Sequence, residues 1–554
     1  MPIKENKRFS LLSAVLLMLL LAAWACSYVQ LHMYQNMCDE SYQIMCGWDY
    51  RSSVAAPLSA WLTSAIGPLW NFDNSPFRII GWTLQIIATL ISMLPTWWMS
   101  RNINFTLAAG SVSISLFSMC RCLEPTFCWD SYAVPALMAV VALCISYSIK
   151  RKWWKIVAMG VCCGVLSMLR LPSAVAIVLP ATCLLLVDGL SGRAAKRICG
   201  LLAAYAITVF GILTSLYGST GLFLDMLSSN LISAHDPGAL SNIYVAVLNM
   251  LCLYALGAAG LLFILNKSIT CKTCLTKTLM SAICAAVGFY IFIRVAIDGF
   301  FWYYAYLFSS VYIVTEMYLA WRTTGKMRIC IIMVLLASLL GGFGSNIIVA
   351  RFVIFPTMPL VLYCLAQTIS SRAKAAALAA LWIPILITNH VFTTDLFFKF
   401  DNGHARLTSG KTSEIPHLHG MWISKYEKER VQCVADRFLP FVNDTTYNTA
   451  VMRNTPNDFM FEYIFDSRSP VYSHCWDWEP LMLNKDYTDR FTRWIEQSKR
   501  PVAVLMVRYV NTIDGPEEDI IREYKQRYRT VYSDRNFTII ICEPQITSMS
   551  DSSR

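Results

Sequence analysis

The sequence predicts a polytopic α-helical membrane domain of about thirteen spans, followed by a soluble α/β domain on the outer side of the membrane. Three observations carry this prediction. The 554-residue chain is 56% hydrophobic and only 15% charged, with a mean hydropathy of +0.48, whereas a soluble chain carries roughly 25% charged residues. The apolar excess is confined to residues 9–392, and the remainder has ordinary soluble composition. The basic residues before position 393 fall mainly in alternate loops, as membrane orientation requires.

The domain boundary is therefore drawn at 392/393, with a membrane domain over 1–392 and a soluble domain over 393–554. Lys4, Lys7 and Arg8 precede the first apolar run. That run is long for the core of a cleaved signal, and its small-residue stretch Ala22-Ala23 lies inside it. It is read as an uncleaved anchor. Further spans centre near residues 87, 111, 141, 161, 181, 207, 255, 287, 311, 337, 361 and 383. Each is near the ~20 residues that cross ~30 Å of hydrocarbon.

Placing the N-terminus in the cytoplasm puts nineteen basic residues in inward loops, among them Arg101, Lys150, Arg151, Lys152, Arg193, Lys196 and Arg197. Six remain outward, and all are arginine: Arg51, Arg78, Arg121, Arg170, Arg294 and Arg351. This asymmetry favours an odd number of spans and an outward C-terminal domain. Nine of the twelve carboxylates before residue 393 also fall outward. Asp73 reads as a solvated loop charge. Arg170, Arg294 and Arg351 sit at the edges of apolar spans, where a planar guanidinium suits phosphate or carboxylate recognition. The net charge of +11 is explained by these loop clusters and does not point to nucleic acid.

The acidic pair Asp39-Glu40 follows the first span, and two adjacent carboxylates at a membrane surface are costly to desolvate. Beyond it come Gly47-Trp48-Asp49-Tyr50 and Pro57-Leu58-Ser59-Ala60-Trp61. In this stretch the chain resembles the GT-C superfamily of integral-membrane glycosyltransferases, nearest the protein O-mannosyltransferase and lipid A aminoarabinose transferase types. Those enzymes open their first outward loop with an acidic pair, followed by a Pro-Leu-x-x-Trp-like segment. Ala56 stands where the family usually has a lysine. Asp130, Arg170-Leu171-Pro172 and the segment from Arg351 to Pro359 resemble three later family elements. The likeness covers roughly residues 10–392.

The resemblance implies transfer of a sugar from a polyprenyl-phosphate carrier to an acceptor outside the cytoplasm. Such a step needs a carboxylate to take the proton of the attacking hydroxyl, and cations to stabilise the departing lipid phosphate. Asp39 is read as the base, with Glu40 in support and Asp130 orienting the acceptor or holding an arginine. Arg351, Arg170 and Arg294 are the candidate phosphate ligands. Trp302, Tyr303, Tyr304 and Trp61 form a candidate substrate wall, although an aromatic belt explains the first three as well. Direct displacement implies inversion at the anomeric carbon. The expected partners are the bilayer, the lipid-linked sugar and a lipid, glycan or protein acceptor. The expected location is a bacterial inner membrane with a periplasmic C-terminal domain.

No metal-ligand set or resident cofactor is predicted. Cys271-x-x-Cys274 lacks a second ligand pair, and His417-Leu418-His419 reads as surface. The competing classes are a transporter or lipid flippase, for which no internal repeat is visible, and a non-catalytic glycan-assembly partner with the same fold. In the tail, strand-like runs at 450–452, 502–508 and 537–542 alternate with helical patterns at 424–438, 487–497 and 517–526, which suggests an α/β layer.

Overall fold

The computed structural model describes residues 10–29, 39–52, 55–119, 127–224, 312–313, 315–340, 350–368, 410–411, 415–419, 422–423, 425–452, 459–467, 485–508 and 516–544. The predicted spans near 255, 287 and 383 lie outside the described residues.

The N-terminal part is a helical bundle. Its helices are α1 (Leu11–Val29), the short α2 (Asp39–Met45), α3 (Pro57–Ile66), α4 (Asn74–Ser100), α5 (Ile103–Met119), α6 (Trp129–Ile149), α7 (Trp153–Leu169), α8 (Val178–Asp188), α9 (Gly192–Tyr217), α10 (Gly325–Leu340) and α11 (Ala350–Thr368). Among the described residues, Asn74–Ser100, Trp129–Ile149, Leu171–Asp188 and Gly192–Tyr217 are long and apolar enough to cross a membrane. Shorter apolar helices at Leu11–Ala22, Ile103–Ser115, Trp153–Leu169 and Val353–Thr368 accompany them. The chain is thus a multi-pass membrane protein.

Two sequence features explain the bundle's closest contacts. Gly160 and Gly164 are four residues apart on α7 and face α9. A Cβ on Gly160 would lie 2.5 Å from the Leu201 carbonyl oxygen, and one on Gly164 would lie 2.7 Å from Thr208 Cβ. In lipid, where water expulsion does not drive helices together, such small-residue pairs allow close backbone approach. The second feature is Pro356 and Pro359 inside α11. Pro359 has no amide to offer the Phe355 carbonyl one turn earlier, and Ser113 Oγ of α5 donates to that carbonyl instead at 2.5 Å. Ser92 of α4 likewise donates to the Pro356 carbonyl. Together these two bonds tie α11 to α4 and α5.

Helix α6 ends where Lys155, buried at the start of α7, donates its ammonium protons to Ser146 O, Ser146 Oγ and Lys150 O at 2.6, 2.7 and 3.0 Å. A cation at this end satisfies carbonyls that the helix leaves unpaired.

The C-terminal part holds a four-stranded sheet, in the order β3 (Asn448–Met452), β4 (Val502–Val507), β6 (Phe537–Cys542), β5 (Arg529–Ser533). The β3–β4 pair is parallel and the other pairs are antiparallel. A separate two-stranded ribbon joins β1 (Gly410–Lys411) and β2 (Trp422–Ile423). Strands β4 and β6 are buried along their whole length, which matches their unbroken apolar sequences. Val502, Val504 and Met506 face Tyr487 and Phe491 of α14 (Lys485–Gln497) and Ile521 and Tyr524 of α15 (Pro516–Arg527). Ala503, Leu505 and Val507 point the other way, into the cluster shared with α12 (Lys425–Val442) and α13 (Phe459–Ile464). That cluster continues without a break into α2, α4 and α6, so the C-terminal part is packed onto the bundle. Strand β5 is the mostly exposed edge, and its weak apolar pattern explains why the sequence did not announce it.

Candidate functional site

Four elements converge at one end of the bundle: α2, α3, the start of α6 and the end of α7. Asp39 and Glu40 open α2. The Glu40 carboxylate is fully buried. Arg78, at the start of the second turn of α4 and also buried, donates from Nε and Nη2 to its two oxygens at 2.8 and 2.7 Å. The Phe127 amide donates to the same carboxylate at 2.8 Å. Gln43, one turn along α2, accepts from the Trp129 amide at 2.5 Å. Helix α2 is thus fixed both to α4 and to the backbone that leads into α6.

Asp130 follows directly, in the first turn of α6. Its carboxylate meets Arg170 Nε at 3.0 Å, with the arginine side chain 7% and the aspartate 18% exposed. Arg170 closes α7 and also donates to Ser173 Oγ at 3.3 Å. The backbone around Arg170 is held by α3 and the residues before it. Leu171 N donates to Ala55 O at 2.8 Å, and Ser59 Oγ donates to Leu169 O at 2.6 Å. Ser59 belongs to the Pro57–Trp61 segment, so three stretches singled out in the sequence occupy one place. Trp61 lies on α3 and is 39% exposed.

Arg351 lies in the first turn of α11. The side chains of Asp39 and Arg351, and all of Arg294, Trp302, Tyr303 and Tyr304, lie outside the described residues. Among the described residues, no group of three or more His, Cys, Asp or Glu side chains is placed to hold a metal ion.

The C-terminal part covers the other side of α2. Helix α13 packs against α2, and Tyr463 stacks on Trp48 at 6.4 Å and on His417 at 4.9 Å. Its hydroxyl donates to Phe72 O at 2.5 Å. His417 is buried between two carboxylates. Nε2 lies 3.0 Å from Asp466 Oδ1, and Nδ1 lies 3.7 Å from Asp73 Oδ1, an ion-pair distance too long for a hydrogen bond. Burial works against a charged ring, but Asp466 and Asp73 outweigh it and push the His417 pKa up to about 9. Burial also raises the Asp73 pKa, yet His417 and His419 together bring it below the ordinary aspartate value.

Three readings are corrected here. His417 is an interior residue rather than a surface one, and Asp73 is its partner rather than a solvated loop charge. Arg78, counted only among outward loop charges, is the buried counter-ion of Glu40. Its position just past the first turn of an apolar helix was the available signal, since an unpaired guanidinium there is too costly.

These features define a class: a multi-pass membrane protein with a carboxylate–arginine site at one end of its bundle and a covering α/β layer. No family model matches the sequence, and no curated protein matches it. Among solved structures, the chain is similar to ArnT from Cupriavidus metallidurans in the apo state, with 12% identity, a TM-score of 0.46 and coverage of 96% of this chain and 98% of that one. It is also similar to the Archaeoglobus fulgidus oligosaccharyltransferase in complex with Zn and sulfate, with 11% identity, a TM-score of 0.45 and coverage of 89% and 68%.

Proposed function

We propose that this chain is a GT-C-type glycosyltransferase that moves a sugar from a polyprenyl-phosphate carrier to an acceptor on the outer side of the membrane. The observation that carries the reading is the meeting of Asp130 and Arg170 at 3.0 Å, beside the helix that Asp39 opens and against the Pro57–Trp61 segment. A carboxylate and a nearly buried guanidinium at a bundle end are what lipid-phosphate chemistry needs.

In this reading the acceptor hydroxyl oxygen attacks the anomeric carbon as the bond from that carbon to the phosphate oxygen breaks. The carrier leaves as polyprenyl phosphate, the hydroxyl proton passes to Asp39, and the anomeric configuration inverts. Glu40 supports Asp39 by position, because its carboxylate is engaged by Arg78 and the Phe127 amide. Arg170, steadied by Asp130, and Arg351 and Arg294 receive the phosphate charge. Trp61, Trp302, Tyr303 and Tyr304 wall the substrate. The chain makes about thirteen spans over residues 1–392 and carries its soluble domain over 393–554. Its N-terminus lies in the cytoplasm and its C-terminal domain in the periplasm of a bacterial inner membrane.

The test is transfer by the purified full-length protein from radiolabelled polyprenyl-phosphate sugars to cell-envelope acceptors. Asp39→Asn should lower the rate by about 10²–10⁴-fold, the usual contribution of a positioned base. Equal transfer by wild type and variant would remove Asp39 from the mechanism. Substrate flux across liposomes without donor consumption would replace the transferase reading with a transporter.

A further inference from the structure

The opposite end of the same helices carries a second charged site. Helix α6 runs about 30 Å from Asp130 to its far end. There the turns between α6 and α7 and between α8 and α9 enclose a cleft of about 570 Å³. Its walls bear four cations, Arg151, Arg193, Lys196 and Arg197, and one carboxylate, Asp188.

The carboxylate is already engaged. Arg197 Nη1 lies 2.5 Å and Arg151 Nη1 3.3 Å from Asp188 Oδ1, while the Tyr147 hydroxyl donates to Oδ2 at 2.7 Å. Asp188 is thus a buried brace that fixes Arg197, with its side chain only 3% exposed. Arg193 and Lys196 are exposed and make no ion pair among the described residues. Helix α9 begins in the wall at Gly192, which adds the positive end of its dipole. A cleft with this excess of positive charge selects a compact anion.

Two further observations point to a lipid as the source of that anion. Trp153 and Trp154 open α7 beside the cleft and are 53% and 58% exposed. Tryptophans in this position mark headgroup depth. Below the cleft, Leu185, Leu186 and Leu202 on α8 and α9 present exposed apolar surface, along which acyl chains can lie. We propose that this cleft binds the phosphate headgroup of an anionic membrane lipid. The inference is independent of the transferase reading, since it rests on the other end of the bundle.

The test uses the full-length protein in nanodiscs of phosphatidylcholine with a minor fraction of phosphatidylglycerol, followed by lipid-resolved native mass spectrometry. Wild type should retain phosphatidylglycerol preferentially. The pair Arg193→Gln/Lys196→Gln should weaken that retention about tenfold to thirtyfold, the effect of two surface cations on lipid association. The pair Arg101→Gln/Lys326→Gln removes the same charge from a separate groove and should leave retention within about twofold of wild type. Equal loss in both pairs would reduce the cleft to a general basic surface and overturn the proposal. So would stabilisation by inorganic phosphate that phosphatidylglycerol fails to reproduce. Lys196→Gln alone serves if the double variant does not fold, and unchanged retention there would also count against the site.

Discussion

Arg78 grips Glu40 with two parallel hydrogen bonds of 2.8 and 2.7 Å while both side chains are wholly withdrawn from solvent. Removing one partner of such a pair strands a buried charge, at a cost of about 3–5 kcal/mol. Arg78→Ala should therefore lower the unfolding free energy in detergent by that amount and reduce folded yield. Asp39→Asn should leave both unchanged while lowering sugar transfer. If Arg78→Ala unfolds like wild type, the pair does not anchor α2.

Arg170 and Asp130 form the less buried pair, and they should separate kinetically rather than by stability. Arg170→Gln removes the donor proposed for the leaving phosphate and should lower kcat/KM by about 10²–10³-fold. Asp130→Asn keeps the geometry but weakens the hold on Arg170, so a smaller loss of about tenfold is expected, on the order of the loss when a partner that orients a site ligand is changed. Steady-state kinetics over donor concentration check both. A larger effect at Asp130 than at Arg170 would reverse their assigned roles.

The His417 contact should make the junction of α13 with the bundle sensitive to alkali. The His417 pKa is raised from the ordinary 6.5 to about 9, so its contribution is complete below about pH 6.5 and is lost as pH rises through about 9. Asp73, whose pKa is lowered, contributes above about 3.8 and is lost as pH falls through its depressed value. Amide exchange of residues 415–419 and 459–467 should accelerate between pH 6.5 and 9.5 beyond its intrinsic base dependence. His417→Gln should remove that excess. An unchanged excess in the variant would exclude His417 as its source.

The α7–α9 contact leaves no room at Gly160, where a Cβ would meet backbone at 2.5 Å. Gly160→Val should force the two helices apart and cost about 1–3 kcal/mol, as overpacking does. Gly192→Ala, where a Cβ meets nothing within 4 Å, should be silent. Thermal unfolding of the two variants compares them directly. Equal melting temperatures would mean that the helices do not pack through this face.

The division between what was legible and what was not follows from range. The helices α1, α4, α5, α7 and α9 lie where the hydropathy placed them, because a span is written in about twenty consecutive residues. Strands β3, β4 and β6 were visible for the same reason, as local apolar runs. The acidic pair, Asp130 and Arg170 were picked out as residue types in costly places. The partners were not visible. Nothing in the sequence couples Glu40 to Arg78 rather than to Asp39, or His417 to an aspartate 344 positions earlier.

By itself the sequence determined that this is a membrane chain whose apolar excess ends near residue 392, and which of its charges are too costly to be idle. Composition and periodicity are local, and hydrocarbon imposes them on every span. Only the tertiary structure decided that Glu40 serves the fold while Asp130 meets Arg170, and that Asp73 belongs to a histidine. Which charge neutralises which depends on distances of 3 to 4 Å between segments far apart in the chain, and packing alone sets those distances.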